Sequence, residues 1–133
     1  MVYGAEAWPI KKSQEKKLDV VEMKMLRWMC GVTRLDKIRN ERIRGTTKVV
    51  EASKKVQERR LQWYGHVKRK DGQYLGNRIS DMMVEGRRAR GRPKRRWKDC
   101  VESDLRGKEI DLDSTEYEDR EVWRRLIRNS DPV

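Results

Sequence analysis

The apolar residues of this chain recur at intervals of three and four in short runs, and glycine or proline closes most of those runs. That spacing constrains the fold more than any other feature, because it is the period of helices that bury one stripe. Residues 2–8 form a short apolar opening ended by Pro9, too brief to make a sheet by itself. Leu18, Val21, Met25 and Trp28, with Met29 alongside, mark a first helix with Ser13 as its N-cap, Glu15 in its first turn and Gly31 as its stop.

Asn40 caps a short helix through Arg44, before Gly45, and Thr46 or Thr47 opens the next segment. There Val49, Ala52, Val56, Trp63 and Val67 share a face, interrupted by Arg59 and Arg60 and weakened by Gly65. From 71 to 91 the periodicity fades among four glycines, which predicts a mobile connector with at most a short helix over 78–84. Pro93 suits the first turn of a further helix carrying Trp97, Val101 and Leu105, with Cys100 beside them and Gly107 at its end. Thr115 with Glu118 makes a capping box ahead of Trp123, Leu126 and Ile127. The expected fold class is therefore mostly α: a small irregular bundle of about five helices with a flexible basic connector, partly disordered. The parts expected are a joining segment (1–12), an N-terminal helical part (13–70), the connector (71–92) and a C-terminal helical part (93–133).

A bundle of this kind has little to bury. Leu, Ile, Val and Phe supply 26 of 133 residues, and 42% of the chain is charged, against roughly 25% in ordinary domains. Five Trp, four Tyr and six Met restore some apolar volume, so partial folding is expected rather than full disorder. Thirty-four Lys and Arg against 22 Asp and Glu leave a charge of +12, which points to a polyanionic partner. No apolar run approaches the ~20 residues of a membrane span, and nothing reads as a signal peptide. Cys30 and Cys100 make no disulfide framework, which fits a reducing compartment.

The charge is unevenly placed. Residues 87–98 hold eight cations and no acid, whereas residues 99–121 hold ten acids and three cations. The acidic block either masks the basic one or is simply a solvated surface. Within the basic block, ARGRPKRRW (89–97) has an RGRP centre of AT-hook composition. Gly91 lets the backbone lie near the floor of a narrow minor groove, Pro93 keeps the chain before it extended, and Arg90 and Arg92 reach into the groove's negative potential. Arg87, Arg88, Lys94, Arg95, Arg96 and Lys98 extend the positive surface for phosphates. The bland alternative is a solvated basic helix start.

A second basic strip comprises Lys54, Lys55, Arg59, Arg60, Lys68, Arg69 and Lys70, with Trp63 and Tyr64 inside it. Aromatics between cations are what a single-stranded nucleic acid stacks upon. Trp63 lies on the apolar stripe and reads as core; Tyr64 reads as the freer ring.

Chemistry beyond binding finds no support. His66, Cys30 and Cys100 lack the paired spacing of a zinc site, and nothing local supplies an oxyanion hole for a Cys–His pair. Asp111 with Asp113, and Glu118 with Asp119, sit in a polar connector or at a helix start. No Asp-Asp dipeptide and no phosphate-binding Gly-x4-Gly-Lys loop occurs. No catalytic residue, metal, cofactor, small-molecule substrate or membrane is expected.

Taken together, YGAEAW (3–8), EMKMLRWMCGVTRLDKIRNERIRG (22–45), RLQWYGHVKRKD (60–71), RARGRPKRRWKDCVESDL (88–105), DREVWRRLI (119–127) and the closing DP (131–132) resemble the C-terminal region of RTE-type non-LTR retrotransposon polyproteins. The resemblance spans nearly the whole chain, in order. It implies a parent with an N-terminal apurinic-type endonuclease and a central reverse transcriptase, which copies its RNA at a nicked chromosomal site. This chain would begin just beyond the polymerase palm, so only a tail function carries over. The Cys-Cys-His-Cys knuckle that related elements often carry near the C-terminus is missing here.

The expectation is thus a nuclear, non-catalytic fragment that binds RNA template or target DNA through its basic residues. Its further partners would be the reverse-transcriptase domains of the parent. The alternatives are an inert remnant whose helices pack on those missing domains, and a host-adopted AT-hook-like DNA-binding protein.

Overall fold

The computed structural model describes residues 4–82, 86, 90, 91, 95–111 and 115–129. After a 3₁₀ turn at Ala5–Ala7, six helices follow: α1 (Lys12–Met29), α2 (Asn40–Thr47), α3 (Ala52–Lys68), α4 (Leu75–Asp81), α5 (Trp97–Gly107) and α6 (Arg120–Ile127). Among the described residues there is no strand, so the mostly helical class holds. None of these helices is long and apolar enough to cross a membrane.

Helix α3 is the hub. The Ala5–Ala7 turn, α1, α4, α5 and α6 all pack on it, while α2 packs on α1. The larger core joins Leu61 and Tyr64 of α3, Val101 and Leu105 of α5, Ile110, and Trp123 and Ile127 of α6, with Trp97 and Tyr117 at its margin. Trp123 is its largest fully buried side chain. The indole N–H donates to the Leu61 carbonyl at 3.0 Å inside the core, which satisfies the one polar group of a buried Trp. The ring lies so close to α3 that a Cβ at Gly65 would stand inside it. Gly65, read from sequence as a weakness in the helix, is where α6 gains its close approach.

A smaller core holds Met23 and Leu26 of α1 and Ile43 of α2, flanked by Cys30, Ile38 and Val49. This overturns the apolar stripe expected for α1. Val21, Met25, Trp28 and Met29 are exposed, Trp28 by 84%. The buried face is selected by polar partners instead. Glu15 reaches Arg60 at 3.6 Å, Asp19 accepts from the Ser53 amide at 3.1 Å, and Glu22 pairs with Arg44 at 2.8 Å. Spacings of four and three put these carboxylates on one side of α1, and Met23 and Leu26 come with them.

Several helix boundaries differ from the sequence expectation for identifiable reasons. The Asn40 side-chain oxygen accepts from Arg27 at 2.8 Å rather than from a helix-start amide, and Arg27 also donates to the Ile38 carbonyl at 2.8 Å. Thr46 and Thr47 end α2 instead of opening α3, because each hydroxyl donates back to a carbonyl four residues earlier, at 3.0 Å. Lys48, with φ 51°, then stops the helix. The cap of α6 is Asp119, whose Oδ1 accepts from the Glu121 and Val122 amides at 2.8 and 3.1 Å. Thr115 forms only a preceding turn, its carbonyl accepting from the Glu118 amide at 2.9 Å. Pro93 lies outside the described residues, and α5 begins at Trp97, where the Asp99 carboxylate accepts from the Arg96 amide at 2.7 Å.

Candidate nucleic-acid interface

Along α3, Arg59, Trp63 and His66 recur at spacings of four and three, and so share one face. Arg69 and Lys70 continue it past the end of the helix. Helix α6 contributes Arg120 and Arg124 one turn apart. Between the two helices lies an open groove of about 780 Å³, lined by these residues, with Glu6 of the N-terminal turn also in its wall. Among the described residues, no carboxylate comes within ion-pair distance of Arg59, Arg69, Lys70, Arg120 or Arg124.

Arg69 is anchored by donating from Nη1 to the Tyr117 carbonyl at 2.7 Å. Burial, and then the charges of Arg120 and Arg124, pull its pKa below the ordinary arginine value. Arginine stays charged regardless, so the three guanidiniums repel one another across the groove. The aromatic component sits beside them. Trp63 stacks on His66 with centroids 5.4 Å apart and planes at 25°, and Tyr74 meets His66 edge-on at 6.4 Å. Glu6 brings the one carboxylate of the groove lining, and its buried Oε2 has no hydrogen-bond partner.

The structure sorts the basic strip into separate roles. Lys54 pairs with Glu51 and Lys55 with Glu58, both at 3.3 Å. Lys68 places its ammonium 5.8 Å above the Tyr64 ring. Arg60 leaves the surface altogether: only 1% exposed, it approaches Asp104 at 3.1 Å and Glu15 at 3.6 Å. Turning Arg60 inward rotates the buried face of α3 to Val56, Arg60, Leu61, Tyr64 and Val67. The expected assignment of the two rings therefore reverses. Tyr64 is core, tilted against Trp97 and Trp123 at 6.5 and 6.3 Å, and Trp63 is the exposed ring.

In the basic block, Arg87, Arg88, Arg92, Pro93 and Lys94 lie outside the described residues. Arg90 and Arg96 are exposed and Arg95 is half-buried. Lys98 stands 3.7 Å from Asp81. Gly91 has φ 117°, a conformation that belongs to glycine. Among the described residues no ion pair joins 87–98 to the acidic block 99–121, whose Asp104 goes instead to Arg60. Arg120 and Arg124 were missed by sequence reasoning. Their i, i+4 placement on an amphipathic helix was the available signal, but that they face Arg69 follows only from the packing of α6 on α3.

Cys30, Cys100 and His66 contribute no shared site: among the described residues, no three His, Cys, Asp or Glu side chains converge to hold a metal ion. Burial raises the pKa of the Cys100 thiol.

No family model matches the chain, and no solved structure does. It is similar to an uncharacterised transposon-derived protein of Caenorhabditis elegans, at 29% identity over 145 aligned positions. The alignment takes in 98% of this chain and 50% of that relative, so the chain spans half the length of the curated protein it matches. The likeness fits a transposon-related origin.

Proposed function

We propose that this chain is a non-catalytic fragment from the C-terminal region of a non-LTR retrotransposon reverse transcriptase, and that it binds nucleic acid in the nucleus. The observation that carries the binding is the α3–α6 groove, where five cations gather with no carboxylate within ion-pair distance among the described residues. Such an arrangement costs Coulomb energy until anions enter it, and phosphates are anions that arginine forks can grip bidentately. The 87–98 block adds a second cationic surface in the same chain. In a parent polyprotein, the two would hold the RNA template or the target DNA near the polymerase through backbone contacts. The likeness to a transposon-derived protein supports a transposon-related origin for the chain.

A salt titration tests it. Neutralising roughly six to eight phosphates gives a log–log slope of about −5 to −7 on duplex. If Arg90 and Arg92 insert into a minor groove, replacing both by Ala removes any preference for AT-rich over GC-rich duplex. Binding that is weak at low salt and indifferent to charge removal overturns the reading.

The rival reading, a remnant that packs on absent polymerase domains, draws on one observation of its own. Trp8, Val21, Met25 and Trp28 expose apolar surface without a partner among the described residues. It predicts a chain that gains stability from a polymerase fragment and binds no nucleic acid.

A further inference from the structure

We infer that the α3–α6 groove is a site for single-stranded nucleic acid: an unpaired base continues the Trp63–His66 stack, and its flanking phosphates lie among Arg69, Arg120 and Arg124. The inference rests on the nucleic-acid reading above and narrows it to one site and one class of ligand.

Three observations point the same way. First, the rings and the cations share one concave surface of about 780 Å³, rather than lying on opposite faces of α3. Second, Trp63 keeps 37% of its surface in solvent although it sits mid-helix beside a packed core. Its contact with His66, centroids 5.4 Å apart, makes a two-ring platform. A base stacked there covers apolar surface and extends that platform, whereas duplex bases already have both faces covered by their neighbours. Third, the cations that would meet the backbone are set in place by the fold. Arg69 is tied to the Tyr117 carbonyl at 2.7 Å, and Arg120 and Arg124 stand one turn apart on a helix capped by Asp119. Among the described residues no carboxylate stands within ion-pair distance to offset their mutual repulsion, and a phosphate would offset it. Stacking platforms beside a cationic track are the recognised physics of single-strand binding, tolerant of sequence because every base has a π-face. Glu6 limits the charge at one part of the wall.

The test uses the full chain and fluorescently labelled twelve-nucleotide oligo-dT and oligo-U, with a twelve-base-pair duplex as the comparison. Trp63→Ala is expected to weaken single-strand binding about five- to 150-fold, the range for loss of one stacked base. Duplex binding should change less than about twofold. Trp63→Tyr should restore most of the loss, which separates a stacking role from a general disturbance of the helix. Arg120→Gln with Arg124→Gln should make the single-strand salt slope shallower by about 1.4. Single-strand affinity within about twofold of wild type in Trp63→Ala, with salt-dependent binding intact, overturns this site while leaving the broader function standing. Absence of any nucleic-acid binding by wild type overturns the broader function instead.

Discussion

Helix α3 carries two arginines side by side, Arg59 and Arg60, and two rings side by side, Trp63 and Tyr64. On the outer face, Arg59 and Trp63 line an open groove. On the inner face, Arg60 and Tyr64 are buried against α5, α6 and the carboxylates of α1. Neighbours on a helix point about 100° apart, so one residue type serves opposite tasks within one turn. Net charge is therefore a poor measure of a binding surface. Arg60 counts towards +12 but holds the fold, while Arg120 and Arg124, distant in sequence, complete the groove. Changes to the inner face should cost stability, and changes to the outer face should cost binding alone.

The largest effect is expected at Gly65. Alanine in place of a mid-helix glycine ordinarily stabilises by roughly 0.8–1.0 kcal/mol. Here the added methyl would occupy the place of the Trp123 indole and break its bond to the Leu61 carbonyl. Displacing a buried Trp costs about 3–5 kcal/mol, so Gly65→Ala should abolish or severely broaden the thermal melt followed by circular dichroism. In a Trp123→Leu background, the same Gly65→Ala change should be neutral or stabilising, by up to roughly 0.8–1.0 kcal/mol. Equal losses in the two backgrounds would show that the glycine answers to something other than the indole.

The next contrast is between the two arginines. Removing one partner of a buried ion pair costs about 3–5 kcal/mol, because the remaining charge is stranded. Arg60→Ala would strand Asp104 and Glu15 together, and a loss of about 3 kcal/mol in urea unfolding is expected. Arg59→Ala, at an exposed position without an ion pair among the described residues, should stay within about 0.5 kcal/mol. Similar losses from both would erase the distinction between the faces.

That distinction also marks how far the sequence could be read. The helical class followed from spacing alone, since periods of three and four run through nearly every segment. The buried face of each helix did not. In α1, Val21, Met25 and Trp28 made the stronger apolar pattern, but Glu15, Asp19 and Glu22 have partners on the other side. In α3, the inward turn of Arg60 moved the face by one residue and exchanged Trp63 for Tyr64. A hydrophobic pattern carries no information on which charged residue has a buried partner 44 positions away, as Arg60 has in Asp104. The same limit applies to the candidate site. Arg59, Arg69 and Lys70 were legible as cations, whereas their convergence with Arg120 and Arg124 depends on the tertiary packing around Trp123.

The smallest effect concerns the inner partner of Arg60. Burial pushes the Asp104 carboxyl up from 3.8 to about 6; Arg60 pulls it down, Glu15 pushes it up and Arg95 pulls it down, without reversing the burial effect. Between those two values the folded chain holds a proton that the unfolded chain has released. Asp104's contribution to stability is therefore fully present below about pH 4 and lost as pH rises through about 6. Asp119 behaves oppositely. The Val122 and Glu121 amides hold its carboxyl below the usual range, so its contribution is present above that range and lost on acidification. Urea unfolding of wild type and Asp104→Asn at pH 5 and pH 8 isolates the first term, because every other titrating group is common to both. The expected outcome is a wild type that gains about 1 kcal/mol relative to the variant on going to pH 5, less than the full two-unit linkage because pH 5 is only about one unit below the folded value and water still reaches part of the side chain. A difference that stays constant from pH 5 to pH 8 would mean that Asp104 titrates as an ordinary surface acid. The inner face of α3 would then be wetter than the burial of Arg60 implies.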